Sequence, residues 1–317
     1  MDSLVSIIIP CYNARDYIRE AVDSALAQTY QNIEIIVIDD GSTDDTKNIL
    51  EPYITSGKIQ YIYQQNKGLA GARNAGIRSA KGDFIAFLDS DDLFLPEKIN
   101  EQMKILREHP EFGVCYSDLM HFTDPPSGGD PAARTFYHHR YRYSSGNIFE
   151  PLLHRQFVNP LTIMVRREIF DRYGVFNEAL RRSEDWELWL RWAHAGVKFY
   201  YLDAILAEYR IRTVGNLSSA ESEPEMKERN LDFFSRLGEQ LGKEEWRKFN
   251  FPAILRRLRL KVVFAYLLNG RKHEALQRTE DVAFYWRWIV SSLSAHSWKW
   301  LLTRAREFKH RFLLKKA

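Results

Sequence analysis

Apolar residues in the first third of the chain come in short unbroken runs rather than in alternation with polar ones. Val5, Ile7, Ile8 and Ile9 form one run, Ile33 with Ile35 to Ile38 a second, Ile59 to Tyr63 a third, and Phe84 to Leu88 a fourth. Short β-branched or aromatic runs that stop at Pro, Asp or Gly predict strands buried on both faces, as in a parallel sheet. Helical stripes fall between them. Tyr17, Ile18, Ala21, Val22, Ala25 and Leu26 recur at helical spacing. Ser42-Thr43-Asp44-Asp45 reads as a capping-box-like start for a helix carrying Ile49 and Leu50 and stopping before Pro52. Gly68 to Ala80 predicts a helix of small residues with Arg73 and Asn74 in its early turns, and Pro96 opens another. This alternation predicts an α/β fold with helices on both faces of a mostly parallel sheet.

After Val114-Cys115-Tyr116 the pattern changes. Residues 124 to 131 are rich in Pro and Gly, and Tyr137-His138-His139-Arg140-Tyr141-Arg142-Tyr143 follows. An irregular stretch of that length inside a domain is usually functional or mobile. Asn159 to Val165 reads as a strand, and Ser183-Glu184-Asp185 opens a helix with Trp186, Trp189, Leu190 and Ala193 on one stripe. Phe199 to Leu202 and Ile205 to Tyr209 read as two short strands, and from Glu221 onward only helical spacing remains. The expected organisation is a catalytic domain over 1–220, with a first half over 1–118 and a second over 119–220, followed by a basic helical region over 221–317.

Composition narrows the picture. A chain of 317 residues with 45% hydrophobic and 14% aromatic residues can bury a large core. Cys11 and Cys115 are too few for a disulfide framework or a thiolate zinc site, and the bland reading is reduced cytosolic thiols. The N-terminus enters a strand directly, without the basic and apolar regions of a signal peptide. No apolar stretch approaches the roughly 20 residues that span a bilayer. The formal charge of +3 hides an asymmetry: residues 251–317 carry a net +11 and the rest a net −8. A basic tail on an acidic body suggests an anionic partner for the tail. Trp286, Trp288, Trp298 and Trp300 among those basic residues favour a membrane interface over nucleic acid.

The candidate chemistry lies at the ends of two strands. The second run closes in Asp39-Asp40-Gly41-Ser42 and the fourth in Asp89-Ser90-Asp91-Asp92. Ligands of open α/β sheets bind beyond the carboxyl ends of strands. Carboxylates there can accept hydrogen bonds from a base or ribose and hold a hard divalent cation by oxygen. A nucleoside diphosphate needs both. Asp39 reads as a turn former, Asp44 and Asp45 as helix-start charges, and Asp89 as either a ligand or a turn former. His138 and His139 would point opposite ways in an extended strand, which argues against a metal pair. Trp189, on the helical stripe, reads as packing. The Tyr137 to Tyr143 cluster could equally stack on an acceptor or form an exposed hairpin. A dinucleotide oxidoreductase would need a G-x-G-x-x-G turn after the first strand, where this chain has Pro10-Cys11-Tyr12-Asn13-Ala14.

Five motifs in order make a resemblance. They are Val5-Ser6-Ile7-Ile8-Ile9-Pro10-Cys11-Tyr12-Asn13, Val37-Ile38-Asp39-Asp40-Gly41-Ser42-Thr43-Asp44, Asn66-Lys67-Gly68-Leu69-Ala70-Gly71-Ala72-Arg73-Asn74, Phe87-Leu88-Asp89-Ser90-Asp91-Asp92, and Ser183-Glu184-Asp185 followed by Tyr209-Arg210. Together, over roughly residues 3 to 218, they resemble the inverting glycosyltransferases of family two, which have the GT-A fold. The resemblance implies that Pro10 and Tyr12 border a nucleobase and that Asp40 accepts the N–H of a uracil-like base. Arg73, with Lys67 near it, would lie against the diphosphate, and Arg210, of the Tyr209-Arg210 motif, would belong to the nucleotide-sugar site. Asp91 would bind ribose or sugar hydroxyls, and Asp92, with Asp91 beside it, would hold Mg²⁺ or Mn²⁺. Asp185 would be the general base, with Glu184 positioning the acceptor or the donor sugar. Many relatives have His where this chain has Arg212; a guanidinium cannot bind a cation but can pair with phosphate. The expected donor is a nucleotide-sugar, most simply UDP-linked, and the expected acceptor a glycan or lipid-linked sugar. The site expected is cytoplasmic, or peripheral at the cytoplasmic face of a membrane. The competing expectation outside enzymes is a nucleotide-sugar-binding or scaffolding module without catalysis.

Overall fold

The structure, a computed structural model, describes residues 3–124, 134–137, 144–180, 182–212 and 223–278. The chain divides into two units, Met1–Thr213 and Val214–Ala317. The first opens with the predicted alternation: β1 (Val5–Cys11), α1 (Ile18–Leu26), β2 (Ile33–Asp39), α2 (Thr46–Thr55), β3 (Gln60–Tyr63), α3 (Gly68–Ser79) and β4 (Phe84–Phe87). It continues with β5 (Leu93–Phe94), α4 (Lys98–Glu108), β6 (Val114–Thr123), β7 (Thr135–Tyr137), α5 (Phe149–His154), β8 (Ile163–Arg166), α6 (Arg167–Tyr173), α7 (Glu184–His194) and β9 (Phe199–Arg210).

These strands form one sheet in the order β3-β2-β1-β4-β8-β6-β9-β5, with β7 on β6. β3, β2, β1 and β4 are mutually parallel. β8 runs antiparallel to both β4 and β6, and β9 runs parallel to β6. The carboxyl ends of β1, β2, β4, β6 and β9 therefore all reach one end of the sheet. After β1 the chain builds outward to β2 and β3, then returns to place β4 on the other side of β1. That reversal opens a crevice at the carboxyl ends of β1 and β4, where open α/β sheets bind ligands.

Packing follows from the sequence. The strand runs are buried throughout β1 and β4, and their residues on one face, Val5, Ile7, Ile9, Phe84 and Ala86, make one core with Ile18, Ala21, Val22 and Ala25 of α1 and Ile99, Met103 and Leu106 of α4. α3 approaches β1 so closely that a Cβ on Gly76 would lie 2.3 Å from the Ile8 Cγ2. This contact explains a helix built of Ala and Gly. Three local expectations needed revision, the first being the strand read from Asn159 to Val165, whose Pro160–Thr162 forms a 3-10 helix before the strand begins at Ile163. Pro52 lies inside α2 rather than beyond its end. The helix ends three residues later, so the missing proline donor costs one hydrogen bond near a terminus. The two short strands expected near 199–209 are the single β9, whose register with β6 shifts around Asp118. The shift absorbs the polar break at Asp203 that looked like a strand end.

The second unit is helical: α8 (Glu223–Gln240), α9 (Lys243–Lys248), α10 (Phe251–Leu268) and α11 (Lys272–Gln277). Val262, Val263, Tyr266, Leu267 and Ala275 form its buried cluster. No helix among the described residues is long and apolar enough to cross a membrane.

Candidate active site

The loop after β4 supplies the densest charge. Its turn closes through the Asp92 amide donating to the Asp89 carbonyl at 3.0 Å. Asp92 is almost wholly buried, and its Oδ1 accepts from the Arg210 backbone amide at 2.8 Å. Its Oδ2 is buried without a hydrogen-bond partner. Burial first, then the charges of Asp91 and Asp89, push the Asp92 carboxyl well above its ordinary range. A buried carboxylate oxygen with no partner is costly unless a proton or a cation sits on it. Asp91 is half-buried, with Oδ2 2.5 Å from an Arg212 guanidinium nitrogen, and Arg212 in turn lies over the Tyr17 ring at 4.4 Å. Burial raises the Asp91 carboxyl too, against the pull of Arg212.

Asp185 stands in the first turn of α7. The residue before that helix, Ser183, has φ 56° and ψ 20°, a left-handed conformation that costs a side-chain-bearing residue strain. It is the kink that brings Glu184 and Asp185 into the helix start. Asp185 Oδ1 accepts from the Trp186 amide at 2.7 Å, and Oδ2 from the Gln156 side-chain amide at 2.6 Å. A helix N-terminus lowers a carboxyl pKa, yet burial and the neighbouring Glu184 charge outweigh it and raise Asp185 to about 7. A carboxylate that loses its proton near neutral pH is suited to take one from a hydroxyl.

Arg73 ties the two acidic regions together. One terminal nitrogen lies 2.8 Å from Glu184 Oε1 and the other 2.8 Å from Asp89 Oδ1. The guanidinium is 2% exposed and sits 5.4 Å from the Phe176 ring centroid and 6.0 Å from that of Phe87. Both terminal nitrogens of Arg73, expected to lie against a diphosphate, pair with carboxylates inside the protein, while its Nε is buried without a hydrogen-bond partner. Glu184, expected to position the acceptor or the donor sugar, holds Arg73 through its Oε1. Arg210 is likewise a buried tie. Its Nε donates to the Asp91 carbonyl at 2.7 Å, and its terminal nitrogens pair with Asp124 and, at 3.2 Å, with Glu20. The Phe122 and Tyr17 rings flank it at 4.6 and 4.9 Å. From the end of β9 it braces the acid loop.

The ends of β1 and β2 are more open. Pro10 is buried at the end of β1, and Tyr12, just beyond, is 52% exposed. Asp40 accepts from the Gln64 side chain at 2.6 Å and from the Lys67 and Gly68 amides at 2.9 and 2.8 Å. It holds the start of α3, which leaves about one acceptor position of a carboxylate's four for a base. Lys67 is exposed beside it. Asp39 is the turn former, taking the Ser42 amide at 2.8 Å and the Tyr61 hydroxyl at 2.6 Å.

Residues 6–174 match the family model described as Glycosyl transferase family 2. The chain is a family 2 glycosyl transferase. It is 36% identical over 250 residues to an uncharacterized glycosyltransferase of Rickettsia prowazekii, spanning 76% of this chain and 74% of that protein. It is 34% identical over 232 residues to the Escherichia coli UDP-Glc:alpha-D-GlcNAc-diphosphoundecaprenol beta-1,3-glucosyltransferase WfaP, spanning 72% and 85% of the two chains. In fold it resembles residues 1–349 of Staphylococcus aureus TarS, crystallised with UDP-GlcNAc, at a TM-score of 0.62 and 20% identity over 93% of this chain and 88% of that one. The expected GT-A architecture is thereby established.

Within this glycosyl transferase, a groove of about 490 Å³ lined by Arg166, Glu168, Arg172 and Lys198 holds none of the site residues. It lies at the amino ends of β6 and β9, away from the crevice. The α7 tryptophans are structural, each indole N–H donating to a backbone carbonyl: Trp186 to Leu152, Trp189 to Val158 and Trp192 to Gly174. His138, His139 and the rest of 138–143 lie outside the described residues. Gln156, Asp124 and Glu20 carried no sequence signal; each lies in an ordinary polar stretch. Lys98 was also missed. It is fully buried in α4, bonded to Gln102 Oε1 at 2.6 Å and the Ile163 carbonyl at 3.1 Å, and burial lowers it to about 7.

Proposed function

We propose that this glycosyl transferase moves a sugar from a UDP-linked donor to a lipid-linked glycan acceptor, with inversion at the anomeric carbon. The observation that carries the reading is Asp185: a carboxyl raised to about 7, held at both oxygens at the start of α7. An inverting transfer is one in-line displacement in which the acceptor hydroxyl attacks while a base takes its proton. Asp185 is that base. The Arg73 bridge to Glu184 and Asp89 fixes the start of α7 against the loop after β4. The donor lies in the crevice beyond β1 and β4, its base beside Pro10, Tyr12 and Asp40 and its diphosphate toward Asp91, Lys67 and Arg212. The WfaP relative's donor and acceptor support UDP and a polyprenol-linked sugar.

A divalent cation fits this site. Asp92 Oδ2 is a buried oxygen without a partner, and Asp91 lies beside it. The described residues contain no cluster of three or more side chains able to cage a metal. That accords with Mg²⁺, which takes one or two carboxylates and completes its shell with phosphate oxygens and water. Asp92, aided by Asp91, would hold Mg²⁺ or Mn²⁺, and the ion would neutralise charge developing on the departing diphosphate. Arg212, whose guanidinium lies against Asp91, would add a phosphate contact.

The test is a thermal-shift panel of nucleotide sugars with and without Mn²⁺, followed by donor hydrolysis. A ligand at a hundred times its Kd raises stability by about 2.7 kcal/mol. UDP-sugars are expected to stabilise the wild type more when Mn²⁺ is present, and Asp92→Asn to lose that increment while folding normally. Stabilisation confined to guanine nucleotides, or hydrolysis unaffected by EDTA, would refute the donor or the metal assignment respectively.

A further inference from the structure

We infer that Gln156 is a positioning residue for the base: its side-chain amide holds the Asp185 carboxylate in the orientation from which it takes the acceptor proton. The inference rests on the reading of Asp185 as base. Gln156 sits in the extended strap after α5, 29 residues before Asp185 in sequence. Its Nε2 has two N–H bonds, and both are used. One reaches Asp185 Oδ2 at 2.6 Å, the other the Val158 carbonyl at 3.0 Å. The opposite amide orientation would set an oxygen against a carboxylate and a carbonyl, so the donor face toward Asp185 is fixed by chemistry.

The strap itself is anchored. Val158 is fully buried, and its carbonyl also accepts from the Trp189 indole at 3.0 Å. Trp186 donates to the Leu152 carbonyl in α5 at 2.8 Å. Gln156 is thus held to the helix that carries the base, by contacts on either side of it. Since Oδ1 is taken by the Trp186 amide, Gln156 is the side chain that sets the plane of the carboxylate.

The amide also favours the ionised form, because it is a donor and carries no charge. The charged groups bearing on Asp185 are Glu184 on its own helix, Arg73 from α3 and Asp89 from the loop after β4. Glu184 and Asp89 favour the proton, Arg73 opposes it, and Gln156 works on the side of Arg73. Losing the amide should therefore do two things together: free the carboxylate to rotate and raise the pH at which it ionises.

The experiment is a carboxyl-carbon NMR titration of aspartate-labelled protein, with Asp185→Asn identifying the resonance. It is paired with pH profiles for hydrolysis of the UDP-sugar that best stabilises the enzyme. Gln156→Leu is expected to move the Asp185 midpoint upward, shift the rising limb of kcat with it, and lower kcat at neutral pH by between about tenfold and about 10²-fold. KM and UDP affinity should not change. Gln156→Glu, which keeps the shape, should move the midpoint further up because two carboxyl groups would share a proton. It also serves if the leucine variant does not fold. An unmoved midpoint in these variants, or a fall in kcat with no movement of the limb, would overturn the positioning role. Asp185→Asn as active as wild type would instead overturn the base itself, and this inference with it. An inactive Asp185→Asn beside a wild-type Gln156→Leu would overturn the inference alone.

Discussion

At the scale of single residues, the proposed function turns on how burial changes a carboxyl group. Asp185 is an ordinary aspartate in sequence, at a helix start where its charge would be favoured. Inside the protein, desolvation and Glu184 bring it to about 7. Two outcomes follow. Activity should rise with pH along a limb centred near 7, because only the ionised form accepts a proton, and Asp185→Asn should lose about 10²-fold or more in kcat with UDP affinity unchanged. Nucleotide affinity falling in step with rate would make Asp185 a donor-site residue. Stability should also depend on pH. The folded value lies above the ordinary 3.8, so folding takes up a proton between them. The group's contribution to stability is then full below about 4 and declines as pH rises to about 7. Urea midpoints of wild type and Asp185→Asn should therefore diverge across that window, with the asparagine variant the less pH-sensitive.

At the scale of elements, Arg73 is what joins α3, the loop after β4 and the start of α7. Removing one member of a buried ion pair leaves an uncompensated charge and costs about 3–5 kcal/mol, whereas removing the whole set costs far less. Arg73→Ala is expected to destabilise by about that amount in urea unfolding. The triple change Arg73→Met, Asp89→Asn and Glu184→Gln should recover much of the loss without recovering activity. A mild effect of Arg73→Ala, under about 1 kcal/mol, would mean that water or a rearranged side chain replaces the guanidinium. Arg210 ties β9 to the acid loop through the Asp91 carbonyl, and to α1 and the residue after β6 through Glu20 and Asp124. Two arginines of the family motifs are thus each tied to carboxylates inside the protein.

At the scale of the whole molecule, charge is unevenly divided between a body of net −8 and the segment 251–317 at +11. The part of that segment beyond residue 278 lies outside the described residues. Its basic residues and four tryptophans suit an anionic surface, where each Lys or Arg contributes about 1 kcal/mol. We expect flotation with anionic liposomes at low salt, weakened by high salt and lost on truncation before Ser291. Equal flotation with neutral lipid, or none with either, would leave the helices of the second unit to packing alone.

The sequence by itself determined the alternation of elements, the buried strands and the carboxylates beyond β2 and β4, because runs of Ile, Val and Phe and their Asp punctuation are local signals. It also carried the family, through motifs in order. Only the tertiary structure decided which charged groups are spent on one another. Arg73 reaches Glu184 across 111 positions and Arg210 reaches Glu20 across 190, distances over which no local pattern speaks. The same holds for the orphaned Asp92 oxygen, the raised Asp185 and its Gln156 partner. Each depends on how much water the packed chain excludes, which is a property of the assembled fold and not of any stretch of it.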